Sequence, residues 1–152
     1  MKLPVYLGMV RSAESVLASS FRVIGDGHGS EPDVYFICHT LADQCEAHER
    51  LLVPIVERYG EQPDDEPERL YAAELDDTRS GPLGLLRDLQ DLHLLTTFVD
   101  FTYTLVKQAA AGLRDEELLD VIATCTDQTS NQADWLRTRA KQAAPQALIA
   151  AE

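Results

Sequence analysis

Residues 37–60 read ICHTLADQCEAHERLLVPIVERYG. Cys38, Leu41, Cys45, His48, Leu52, Ile55 and Tyr59 follow one another at alternating steps of three and four, the repeat of one face of an α-helix. A strand would alternate every second residue, and no such alternation is present. The segment therefore predicts a long amphipathic helix. Its face is unusual, because Cys45 and His48 stand at its centre where leucines would be expected. Gly60 closes the helix, and Val34 extends the same face backward.

The same rhythm recurs three times. Leu3, Leu7, Val10, Glu14, Leu17, Phe21 and Ile24 form one stripe. Leu85, Leu89, Leu92, Thr96, Val99, Tyr103, Val106 and Ala110 form another, and Leu118, Ile122, Cys125, Thr129, Gln132, Leu136 and Ala140 a fourth. Four such helices make an all-α four-helix bundle, expected over about 4–24, 31–59, 82–111 and 115–143 within a single domain, 1–152. Local signals set the ends. Pro4 and Pro32 suit first turns, and Ser30 with Asp33 forms a start signal. Gly25 and Gly112 suit helix ends, Gly81-Pro82 opens the third helix and Asp115 the fourth, which should stop before Pro145.

Connection lengths predict the topology. The links between helices one and two, and three and four, are short, so each pair is expected as an antiparallel hairpin. The stretch 60–81 is long and acidic, with nine acidic and three basic side chains between Glu57 and Arg79. Even with a short helix around Glu68–Leu75, it can cross a bundle about 40 Å long. An up-down-up-down arrangement is the alternative.

Composition narrows the function. A net charge of −13 argues against a nucleic-acid partner, which needs a basic face. There is no charged start followed by an apolar run, and no stretch of about 20 apolar residues, so neither a leader nor a membrane span is expected. Three cysteines are an odd number, and Cys38 and Cys45 lie about 10.5 Å apart along their helix, too far to bridge. Reduced thiols in a cytoplasmic protein are the expectation.

Each stripe turns polar near its midpoint. Glu14, the Cys45/His48 pair, Thr96 and the run Cys125–Thr129–Gln132 fall at similar depth when helices pack side by side. A carboxylate in such a place requires a partner. This layout resembles the ferritin-like superfamily over about residues 4–143. Members with a di-metal centre use a Glu from each of two helices and a Glu-x-x-His pair from each of the other two. In that comparison Glu14 takes the place of the first-helix Glu. Cys45-Glu46-Ala47-His48 takes the second-helix Glu-x-x-His position, with Cys for Glu and His48 kept. Thr96 replaces the third-helix Glu, and Thr129 to Gln132 keep neither ligand of the fourth. A full di-iron centre is therefore not expected.

The remaining donors, Glu14, Cys45, His48 and Cys125, make a mixed set suited to one iron, zinc or manganese ion. Two other readings stay open: cysteines as core filler around a Glu14–His48 hydrogen bond, and a small organic ligand between the helices. No Ser/His/Asp triad is found, and a Cys45/His48 nucleophile would be buried and inert. His93 and Asp100 read as a solvated flank, as do His39 and Glu46. His28 sits in a glycine-rich loop that matches no phosphate-binding pattern. Pro54 should kink its helix. Trp135 and Arg139 read as packing and surface groups, and the tail AAPQALIAAE as able to fold back. The third helix is apolar almost all round, which predicts a homodimer contact through it. A non-enzymatic helical interaction module is the competing class of function.

Overall fold

The structure is a computed structural model that describes residues 1–60 and 73–152. It contains α1 (Leu3–Gly27), α2 (Pro32–Tyr59), α3 (Gly81–Leu113) and α4 (Glu116–Pro145), and α4 runs on into a π-helical turn, Gln146–Ala150. No strand occurs among the described residues. Nearly every residue of the four stripes is buried, the exceptions being Tyr59 and Ala140, which are half-buried. The spacing of apolar residues thus dictates which face of each helix turns inward.

One continuous apolar core draws side chains from all four helices. Helix α1 packs on α2 and α3, and α4 packs on α3 and α2. Among the described residues the backbones of α1 and α4, and those of α2 and α3, stay more than 8 Å apart between Cα atoms, so these are the diagonal pairs of the bundle. Two polar clusters tie distant segments. At one, His28 Nε2 lies 2.7 Å from Asp88 Oδ2, and the Arg79 guanidinium and backbone N–H both donate to the same carboxylate. At the other, Arg58 and the Tyr59 hydroxyl donate to Asp115, which also caps the Leu118 N–H. Residues 73–80 run beside the second half of α1: the Leu75 N–H donates to Ser20 Oγ at 3.1 Å, and Thr78 lies against Gly27. Most of the connection, including most of the helix expected at Glu68–Leu75, lies outside the described residues.

Several helix ends differ from expectation. Gly25 does not end α1, which continues to Gly27. A β-carbon on Gly25 would sit 3.0 Å from Cys38 Cβ and 3.3 Å from the Tyr35 carbonyl, so this glycine serves the close approach of α1 to α2. Ser30 does not cap α2: Glu31 holds the N-cap position without a side-chain bond to the helix's own N–H groups, and Asp33 pairs with Arg139. Gly112 lies inside α3, and Arg114 takes the left-handed conformation (φ 55°) that closes it. Pro145 does not stop α4. Having no N–H, it is followed by the wider π turn, which buries Ala147 against Leu86 and Ala143. Helix α2 is continuous through Pro54, whereas Gly60 (φ 84°), Gly81 and Asp115 act as their sequence contexts predict.

The solvated roles expected of His39, Glu46 and Arg139 are also corrected. Arg22 donates to exposed Asp43 and half-buried Glu46 and lies 3.0 Å from His39 Nδ1, so these groups knit α1 to α2. Arg139, with a side chain only 12% exposed, bonds Asp33 and Glu31 across the α2–α4 junction. Asp100 is exposed and His93 partly so, consistent with a flank.

Candidate metal-binding cluster

Glu14 of α1 and His48 of α2 are 0% and 1% exposed, and His48 Nδ1 lies 2.5 Å from Glu14 Oε2. The Tyr103 hydroxyl, from α3, donates to the same oxygen at 3.1 Å. His48 Nε2 lies 2.7 Å from Gln128 Oε1 on α4. A carbonyl oxygen only accepts, so Nε2 carries a hydrogen. The Nδ1–Oε2 line then holds one proton, shared between imidazole and carboxyl.

Burial pushes the Glu14 carboxyl up from its ordinary range, against the pull of His48 and Tyr103. Burial acts downward on His48, but the hydrogen bond and charge of Glu14 outweigh it and raise the imidazole. Both shifts act the same way: they favour retention of the pair's single proton as pH rises. Whichever partner carries it, the pair is neutral overall, which is the form a buried site tolerates.

Cys125 of α4 completes the cluster. One donor atom each from Glu14, His48 and Cys125 falls within 4.8 Å of the others, and all three residues are buried. Burial pushes the Cys125 thiol up to about 11. Cys45 stands beside this trio. Burial and then the nearby Glu14 charge raise its thiol well above the usual value. Gln132 Nε2 lies 3.6 Å from Cys45 Sγ and donates to Gln44 Oε1 at 3.1 Å. Cys38 is elsewhere, buried against Gly25, with its thiol raised to about 12 by burial.

Thr96 and Thr129 are also buried at this depth, but they bond their own helices, to the Leu92 and Cys125 carbonyls, each at 2.8 Å. That leaves one atom unsatisfied. Glu14 Oε1 is buried and has no hydrogen-bond partner among the described residues. Such an atom costs about 1–3 kcal/mol, more if charged, unless something bonds it.

Tyr103 and Gln128 are participants that sequence reasoning did not single out. Tyr103 is two turns beyond Thr96, but helical side chains lean toward the N-terminus of their helix, so a long one reaches back to mid-depth. Gln128 is off the α4 stripe, and its spacing from Cys125, three residues, is the signal that could have found it.

The donors can be tested against a metal ion. A zinc-like tetrahedron, with bonds of about 2.0–2.3 Å, needs donors roughly 3.3–3.8 Å apart, so the trio would close by about 1 Å at its widest. The Nε2–H bond to Gln128 leaves Nδ1 as the nitrogen that points at Glu14, the outer-shell bond a ligating histidine ordinarily makes. Oxygen, nitrogen and sulfur donors fit one borderline-soft ion, and a single carboxylate does not fit two. In comparisons with known proteins, no family model, curated protein or solved structure matches the chain.

Proposed function

We propose that this chain is a ferritin-like bundle of two antiparallel helical hairpins whose interior holds one divalent metal ion through Glu14, His48 and Cys125. The topology rests on the two polar clusters: the start of α3 lies by the α1–α2 link, and the start of α4 by the end of α2. The buried Glu14 Oε1 carries the metal reading, because it has no hydrogen-bond partner of ordinary geometry among the described residues and the further group interacting with this carboxyl is the Cys45 thiol, itself a candidate ligand. Charge supports it too. Glu14, His48 and Cys125 hold two protons at neutral pH and are uncharged as a set; releasing both leaves −2, the complement of one dication. Thiolate and imidazole favour zinc or ferrous iron over manganese.

Three protein ligands leave a fourth position, for Cys45 or a small external ligand. A bound ion would supply a Lewis-acid centre there. Gln128 fixes the imidazole, while Tyr103 and the surrounding core exclude water. The three unbonded thiols fit a reducing compartment, and no described helix is long and apolar enough to cross a membrane. Elemental analysis of untagged protein purified without chelators, before and after zinc or iron loading, tests the reading. One ion per chain is expected in the wild type and none in His48→Leu; no retained ion under any loading would sink it.

The interaction-module reading is favoured by a different observation. Phe101 and Leu105 are 63% and 43% exposed on one face of α3, which suits a second copy packed through that helix. Sedimentation equilibrium should return a dimer for the wild type and a monomer for Phe101→Asp. Monomers for both would remove this contact.

A further inference from the structure

A groove of about 690 Å3 runs between α3 and α4 and is bounded by Leu148 of the terminal turn. Its floor is core, with Leu86, Leu89 and Leu136 buried. Its rim exposes Leu83, Leu94 and Leu148, which are 43%, 68% and 65% exposed. None of the residues lining it is acidic, although the chain carries 26 acidic residues and a net charge of −13. Three cations line it instead: Arg87 on α3, and Arg137 and Lys141 on α4.

These cations differ from four others in the chain. Arg22, Arg58, Arg79 and Arg139 are each bound to two carboxylates. Arg87, Arg137 and Lys141 make no ion pair among the described residues. An apolar trough with positive charge on both walls that no described carboxylate neutralises is complementary to an anionic amphiphile.

Length narrows the choice. The α3 wall from Leu83 to Leu94 is about 16 Å long at helical rise, roughly the extended length of a twelve-carbon chain. A polymethylene chain, about 4 Å across, lies within such a trough along its whole length. A second copy related by a two-fold axis through the groove would bring the same cations together. We propose that this groove binds one free long-chain carboxylate, its chain on Leu86, Leu89 and Leu136 and its head group held by Arg137, Lys141 and Arg87. His93, at the groove wall, belongs to this site and not to the Glu14 cluster. The proposal is independent of any metal.

Calorimetric titration of the full chain with sodium dodecanoate, kept below its micelle concentration, tests it. One dodecanoate per chain is expected, with affinity lowered about tenfold or more in Arg137→Glu/Lys141→Glu, whose exposed substitutions leave the core untouched. Dodecyltrimethylammonium, with the same tail and the opposite charge, should bind the wild type about tenfold more weakly or worse. Ala140→Trp, which fills the trough, should abolish binding while the circular dichroism stays helical. Equal affinity for the two head groups, indifference to the charge reversal, or no binding below the micelle concentration would overturn the proposal. So would binding only to vesicles carrying anionic lipid, which would assign the cations to a membrane surface.

Discussion

Raising the pH by one unit should tighten zinc binding to the chain about 100-fold between roughly pH 6 and 8. The slope follows from proton bookkeeping at the cluster. The Cys125 thiol, raised to about 11 by burial, is protonated throughout that range and must lose its proton to ligate. Glu14 and His48 are both raised and retain one shared proton, which must also leave before both can ligate. Two protons released per ion give two decades of affinity per pH unit. Competition against a chelator of known pH dependence measures this. Cys125→Ser should halve the slope to about tenfold per unit and weaken binding. A pH-independent affinity would mean that the ion sits elsewhere.

Removing His48 alone should be far more damaging than removing it with its partner. His48→Leu leaves the Glu14 carboxyl buried with only the Tyr103 hydroxyl and the weakly donating Cys45 thiol beside it, and breaking a buried pair from one side costs about 3–5 kcal/mol. Glu14→Leu/His48→Leu replaces both groups by apolar ones and should recover most of that loss, or exceed the stability of the metal-free wild type. Urea unfolding of the metal-free proteins reads both. A pH series adds a sign. Above the ordinary histidine value of 6.5, the unfolded chain has released the proton that the folded pair retains. Metal-free wild type should therefore lose on the order of 1 kcal/mol per pH unit as pH rises past 6.5, until the folded pair itself deprotonates. The double-leucine variant should lack that decline. A wild type whose stability follows the double variant at every pH would remove the shared proton from the account.

The four inward faces were legible because each depends on one local property, the spacing of apolar residues. Glu14, His48 and Cys125 were found on the same basis, as polar members of otherwise apolar stripes at similar depth. What escaped depends on partners far along the chain. His28 reads as a loop residue until Asp88 is beside it, and Arg139 reads as surface until it meets Glu31 and Asp33. Glycine misled for a related reason. Gly25 looks like a helix end because it can turn the chain, but the structure uses its missing side chain to let Cys38 approach. Arg114, which does turn the chain, has no compositional mark of doing so.

The two polar clusters bear on the order in which the molecule assembles. His28 and Asp88 are 60 residues apart in sequence, and Arg58 and Asp115 are 57 apart. Closing loops of that size carries an entropic cost that the contacts between consecutive helices avoid. Glu14 and His48 come from consecutive helices and can meet early, whereas Tyr103, Cys125 and Gln128 arrive only with the second pair of helices. The cluster is therefore completed by the last long-range docking event. An ion bound there would act as a latch on a finished chain and could not seed its collapse.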